Sequence, residues 1–339
     1  MFIVIILSLL LTSCTTINVD NPSNLYPTDV LSSYSFNTIN NIIDNGFSPG
    51  YYYIKENPTL GFYWPFYIYI PRAYIASENI KLMVIPNNTG ERDNNFSNVI
   101  LSREGVNWLP YIQLIPLFPR FEKPEMNEGL SPHYLSSGTF ITRRIEQRNI
   151  DRQLVSMIDY VKNEFRINSI NINSKINMWG YSGSAFFISR FIILHPELVN
   201  AAAFGGHYWT MLPLEKYKNL KLYYNIGIYN LSKLTGTSFN EEAYRRIKQF
   251  IYMGTADNPI GPIFYSLDRL IPEDERDNYY NRFENLFGTT SESLFDSFSE
   301  ALIDYNYITV KKYLNLNHSQ TNNMAKTDVL AFFILNSEN

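Results

Sequence analysis

Cysteine occurs once in 339 residues and histidine four times. One cysteine cannot close a disulfide within the chain, and four scattered histidines do not make the ligand spacing of a zinc finger or, with that cysteine, of an iron–sulfur cluster. Charge is scarce as well. Asp, Glu, Lys and Arg supply 18% of the residues and the net charge is −4. No block of Lys or Arg interrupts the chain, so the positive footprint that nucleic-acid binding needs is missing. Beyond the first thirteen residues no apolar run is long enough to span a bilayer. Apolar residues, by contrast, make up 45% of the chain and aromatic ones 16%. That balance belongs to a chain that folds around a large core. The aromatic excess reads as a compositional bias shared with Asn and Ile rather than as an aromatic binding surface.

Met1 to Ser13 carries no charge and is apolar almost throughout. At thirteen residues it falls short of a membrane span of ~20 and reads as an export signal. It ends in Leu11-Thr12-Ser13-Cys14, which resembles the bacterial lipobox. That resemblance implies a diacylglycerol-bearing Cys14 as the mature N-terminus and an exported protein anchored to the cell envelope, although no Lys or Arg precedes the apolar run. Residues 14–45, polar and broken by Pro22 and Pro27, read as a tether, and residues 46–339 as the domain it holds.

Within that domain the pattern is α/β. Tyr51 to Ile54 and Phe66 to Ile70 read as strands. Ile80 to Ile85 and Tyr111 to Phe118 are short apolar runs that suit buried parallel strands. Asp151 to Phe165 places Leu154, Met157, Ile158 and Val161 on one helical face. Ile176 to Trp179 reads as a strand and Ala185 to Leu194 as a helix stopped by His195-Pro196. Strands and helices alternating in this way predict a doubly wound, mostly parallel sheet with helices on both faces.

Between that strand and that helix lies Gly180-Tyr181-Ser182-Gly183-Ser184. A nucleophilic serine on a sharp strand-to-helix turn requires small residues two positions before and after it, because the backbone closes tightly there. Gly180 and Ser184 meet the requirement, with Ser in the place of the usual last Gly. The competing reading is an ordinary turn between strand and helix.

The segment Met178 to Gly206 resembles the nucleophile elbow, following helix and next strand of α/β-hydrolases, in particular the exported esterase and polyester-depolymerase-like branch. The resemblance implies the α/β-hydrolase fold and a chain order of Ser, then Asp or Glu, then His, each after a later strand. On that order Ser182 is the nucleophile. Asp257, after the strand Gln249 to Met253, is the acid, with Asn258 placed to orient it. Asp268, Asp274 and Asp277 fall in a charged stretch and read as surface residues. His318, after the strand Tyr307 to Val310 with its continuation to Leu314, is the base. Of the other histidines, His195 sits where it would meet the last carbonyls of a helix, His133 lies in a loop flanked by Pro132, and His207 follows Gly205-Gly206 near the site. The oxyanion donors implied are the Gly183 N–H and Asn88, with Thr89 second.

An insert at about 207–246 carries many aromatics, which either line the site or fill the insert's own small core, and Ser238 to Glu241 resembles a helix-capping box. The expectation is a lipid-anchored serine hydrolase acting on a small or polymeric carboxylic ester, without metal or organic cofactor. The alternatives are a peptidase or amidase on the same residues, and a catalytically silent surface lipoprotein that uses the fold to bind.

Overall fold

The computed structural model describes residues 39–44, 46–71, 80–88, 109–119, 130–257, 269–305, 307–318 and 323–336. The apolar segment 1–13, Cys14, Thr89, Asn258 and Asp268 lie outside them.

Ten strands are described: β1 (Gly50–Ile54), β2 (Phe66–Ile70), β3 (Leu82–Val84), β4 (Ile112–Pro116), β5 (Ile176–Tyr181), β6 (Val199–Gly205), β7 (Lys216–Tyr217), β8 (Leu220–Lys221), β9 (Lys248–Gly254) and β10 (Ile308–Tyr313). Eight form one sheet in the order β1-β2-β4-β3-β5-β6-β9-β10, and β7 with β8 makes a separate hairpin. β1 and β2 are antiparallel, β2 runs antiparallel to β4, and every pairing from β4 to β10 is parallel. β2 shows why its sequence alternates. Phe66, Ile68 and Ile70 turn into the core while Tyr67 and Tyr69 face the other side, where Tyr69 stacks on its cross-strand partner Tyr51 at 4.4 Å. The central strands are buried on both faces, so they read as unbroken apolar runs.

Helices cover both faces. Among those described are α1 (Ile39–Asp44), α2 (Gly138–Ile141), α3 (Ile150–Ile167), α4 (Gly183–Leu194), α5 (Leu231–Thr235), α6 (Glu241–Tyr244), α7 (Arg276–Phe287), α8 (Ser291–Ala301) and α9 (Asn323–Leu335). On one face α3 and α4 contribute Leu154, Met157, Val161, Phe165, Phe187 and Phe191 to the larger core. On the other, Ala325, Val329 and Phe333 of α9 pack against Trp179, Phe250 and the small residues Ala201 and Ala203.

Three local expectations change. Residues 39–44, expected to close the tether, form α1, and Ile39 and Ile42 are fully buried. The helix expected to open on Ser238 is capped instead by Asn240, whose side chain accepts the Ala243 N–H. The difference is one of register, since both residue types cap well. His195 does not turn back on the helix carbonyls: its Nε2 lies 2.9 Å from Asp151 Oδ2, a buried carboxylate on α3.

The carboxyl ends of β9 and β10 are stitched together. The Thr255 and Ala256 N–H groups donate to the carbonyls of Tyr313 and Leu316, and the Asn315 N–H donates to Thr255 Oγ1. Gly254 permits the approach, because a Cβ there would stand 2.0 Å from the Leu316 carbonyl oxygen. Gly254→Ala is therefore expected to push the two loops apart and lower stability by about 1–3 kcal/mol, the usual range for overpacking. Denaturant unfolding of the two proteins measures it.

Candidate active site

Ser182 stands between β5 and α4 with φ 58° and ψ −119°, a backbone region that non-glycine residues rarely enter. Such a conformation costs of order 1–3 kcal/mol and persists only where neighbours enforce it. The neighbours here are specific. The Ser182 N–H donates to the Gly205 carbonyl at 2.8 Å. A Cβ on Gly180 would meet the Ser184 backbone at 2.9 Å and Ile188 Cδ1 at 2.7 Å. Ser184 departs from the expected glycine for a visible reason: its hydroxyl accepts the Tyr181 N–H at 2.8 Å and donates to the Tyr181 carbonyl at 2.9 Å. It braces the turn that a glycine would only permit. The Ser182 side chain does not cap α4, so its hydroxyl is left for another partner.

That partner is His318. Its Nε2 lies 2.9 Å from Ser182 Oγ, and its Nδ1 lies 2.9 and 3.1 Å from the two Asp257 carboxylate oxygens. The carboxylate cannot donate when ionised, so Nδ1 carries the hydrogen and Nε2 is left to accept from the serine. Asp257 is fully buried and His318 is 42% exposed, so the acid is fixed in the protein while the imidazole edge faces the outside. The Tyr181 hydroxyl reaches Asp257 at 3.5 Å, and its ring lies 5.3 Å from the imidazole. Nothing in the sequence pattern singled out Tyr181, although its place beside Ser182 at the sheet's end puts it there. The three residues come from the carboxyl ends of β5, β9 and β10, where open parallel sheets place their sites. Asp274 and Asp277 lie in an exposed segment opening α7.

The structure also brings Gly183 and Asn88 together, in a way the sequence did not suggest. The Gly183 N–H donates to Asn88 Oδ1 at 2.9 Å, so the side-chain carbonyl of Asn88 occupies the place beside this N–H. Asn87 anchors the strand end behind it: its buried side chain accepts the Phe118 N–H at 3.1 Å and donates to the Phe118 carbonyl at 2.7 Å.

His207 is not at the solvent edge of the site. It is 1% exposed, packed edge-on to Phe186 at 5.4 Å and against Phe204 at 5.4 Å. Burial first, and the Arg190 charge second, push its pKa down to about 3. Most of the insert's aromatics face inward too: Tyr208, Trp209, Tyr223 and Tyr224 are buried, while Tyr229 is exposed. A cavity of about 700 Å³ opens between the insert and the end of α8, lined by Leu214, Phe239, Arg245 and Tyr305, and none of Ser182, Asp257 or His318 reaches it. Among the described residues no group of His, Cys, Asp and Glu is arranged to hold a metal ion. No helix among them is long and apolar enough to cross a membrane.

No protein-family model matches the chain, and no curated protein matches it in sequence. The likeness lies in three dimensions. Poly(aspartic acid) hydrolase-1 from Sphingomonas sp. KT-1 superposes with a TM-score of 0.52 at 14% identity, over 84% of this chain and 98% of that one. An S-formylglutathione hydrolase from Agrobacterium tumefaciens gives 0.46 at 14% identity, over 85% and 95%. A thermophilic esterase from Thermogutta terrifontis gives 0.41 at 12%, over 80% and 88%. With the strand order above, the first of these defines the architecture: this chain has the α/β-hydrolase fold.

The neutral His207 makes stability pH-dependent in a definite direction. Its folded pKa lies below the unfolded value near 6.5, so the unfolded chain takes up this proton first. The contribution is complete above pH ~6.5 and is lost as pH falls toward about 3. Between pH 7 and 4.5 the parent is expected to lose about 2–3 kcal/mol more than His207→Phe, which has no proton to gain. Denaturant titrations of both proteins at the two pH values check it.

Proposed function

We propose that the protein is a serine hydrolase that cleaves a carboxylic ester through an acyl-enzyme on Ser182. The observation that carries this reading is the continuous hydrogen-bonded line from Ser182 Oγ through His318 to the buried Asp257, presented on a strained strand-to-helix turn. His318 Nε2 takes the Ser182 proton as Oγ attacks the scissile carbonyl. Asp257 holds the imidazole in that tautomer and stabilises the imidazolium that forms. The imidazolium then gives its proton to the departing alcohol, and a water activated by the same nitrogen releases the acid. An ester asks least of this geometry, since an alkoxide leaves more readily than an amide nitrogen.

The developing oxyanion is received by the Gly183 N–H. In that step the substrate oxygen takes the position held by Asn88 Oδ1, and Asn88 turns its Nδ2–H toward the new oxygen as the second donor. An amide can do this because it carries a donor and an acceptor on one plane. Outside the described residues, the apolar segment and Leu11-Thr12-Ser13-Cys14 support an exported protein held to the bacterial envelope by a lipidated Cys14.

Ser182→Ala is expected to abolish both fluorophosphonate labelling and ester turnover. Asp257→Ala and His318→Ala should each slow turnover by about three orders of magnitude or more, and the double variant by little further, because such residues act as a unit. Turnover retained in Ser182→Ala would exclude the acyl-enzyme.

The anchor is tested by the intact mass of protein extracted from membranes. A mature chain beginning at Cys14 with added lipid is expected; one beginning at Met1, or at an unmodified Cys14, would refute it.

A further inference from the structure

Arg190 is a buried cation that pairs with no carboxylate among the described residues. It lies on α4 and is 3% exposed. Its Nη1 donates to the Tyr134 carbonyl at 2.6 Å, its guanidinium carbon lies 5.7 Å from the centre of the Phe186 ring, and its Nε has no acceptor. Among the described residues no carboxylate forms an ion pair with it. Asp151, the acid whose field reaches the neighbouring Tyr224, turns its Oδ2 to His195 and leaves its Oδ1 without a hydrogen-bond partner, while the groups that act on Arg190 are Tyr224 and Tyr134. Burial draws the guanidinium pKa down to about 10, which still leaves it charged at neutral pH. Taking such a charge out of water costs several kcal/mol unless an opposite charge meets it, and an apolar side chain of similar size would avoid that penalty.

Its position is as informative as its charge. Ser182 immediately precedes α4, and Phe186 and Arg190 follow it on the helix at successive spacings of four, so Phe186 and Arg190 are neighbours on one side of α4. Eight residues rise about 12 Å, and a long helical side chain leans toward the N-terminus, so the guanidinium comes within roughly 6–8 Å of the Ser182 level along the axis. Phe186, only half-buried, lies over it. The same ring contacts Tyr134 at 5.7 Å, His207 at 5.4 Å and Trp209 at 4.5 Å. Trp209 Nε1 and both His207 ring nitrogens are buried without hydrogen-bond partners. His207 and Trp209 also border a small cavity lined by Ile251, Phe295 and Phe298, so the unmet charged group beside Phe186 is the Arg190 Nε–H. One ligand chemistry suits it: a group that is anionic and accepts more than one hydrogen bond.

We propose that Arg190 determines specificity by binding a free carboxylate on the acyl part of the substrate, so that the preferred ester is the half-ester of a dicarboxylic acid. The spacing to Ser182 fits about two to four methylenes between the scissile carbonyl and the free acid, once a guanidinium–carboxylate contact is allowed for. Phe186 swings aside as the acid arrives, and Arg190 exchanges a cation–π contact for a charge-assisted, two-point hydrogen bond. This inference rests on the serine-hydrolase reading for turnover, but binding of the acid is separable from it.

The test uses the full chain and three measurements. Fluorophosphonate labelling first reports whether Ser182 is activated. The ratio of kcat/KM for p-nitrophenyl hemiglutarate to that for neutral p-nitrophenyl butyrate is expected to favour the acid at least tenfold. In Arg190→Met that ratio should fall by about 10²-fold through KM, the scale for truncating one partner of a buried charge pair. Glutarate alone should raise the melting temperature of the parent and leave that of Arg190→Met unmoved. The variant itself should melt no lower than the parent, since it removes an uncompensated charge. Should it fail to fold, Arg190→Lys keeps the charge, loses the fork, and is expected to lose most of the glutarate shift. A labelled enzyme that turns over both esters equally overturns this inference and leaves the hydrolase standing. An unlabelled, inactive protein that glutarate still stabilises through Arg190 overturns the hydrolase and leaves the carboxylate site. No glutarate shift in the parent overturns the site outright.

Discussion

Everything at the sheet's carboxyl edge depends on one strained turn. Ser182 is held at φ 58° and ψ −119° because the elements around it leave no alternative: β5 is buried on both faces, α4 begins at the next residue, and Gly205 of β6 takes the serine N–H. The strain is small beside the burial of the flanking strand and helix, which is why the fold can sustain it. Its effect is to aim one hydroxyl away from the helix it precedes and toward His318 Nε2.

The second constraint is distance in sequence. Asp257 follows Ser182 by 75 positions and His318 follows Asp257 by 61, yet they meet because β9 lies between β6 and β10 in parallel register. Parallel strands end at the same edge of a sheet, so residues just beyond them become neighbours. The stitching of Thr255 and Ala256 to Tyr313 and Leu316 removes the remaining freedom. Asp257 can then be fully buried while His318 stays accessible, an inequality that separates a fixed acid from an imidazole able to meet a substrate.

These features differ in how far the sequence discloses them. The elbow was legible because tight backbone closure demands small residues at fixed offsets, and strand and helix patterns flank it without ambiguity. The pairing of Ser182, His318 and Asp257 was implied by the resemblance to α/β-hydrolases, whose chain order these three residues fit. Burial of Ile39 and Ile42 was not legible, since a six-residue helix behind a polar stretch carries too little pattern to reveal its docking partner. Nor was Ser184's bracing role, because a hydroxyl in place of a glycine looks like a weakened motif until its two hydrogen bonds to Tyr181 are seen. Arg190 was hidden for a related reason. An arginine in an apolar helix reads as a surface position, and only the folded chain shows that no carboxylate among the described residues pairs with it.

The contact between Gly183 and Asn88 shows how such a site can select the transition state over the substrate. In the resting protein the Gly183 N–H is bound to a neutral amide oxygen, an interaction worth about 0.5–1.5 kcal/mol net. A substrate carbonyl is a neutral oxygen of the same kind and gains almost nothing by displacing it. On the proposed mechanism, the oxyanion that would form when Ser182 attacks is different: a preorganised donor to such a charge is worth about 2.7–4 kcal/mol. The exchange therefore becomes favourable only as charge develops, and an interaction that strengthens only then raises the rate instead of tightening ground-state binding. On the same proposal, Asn88 would hold the N–H in place between substrates without competing once charge appears.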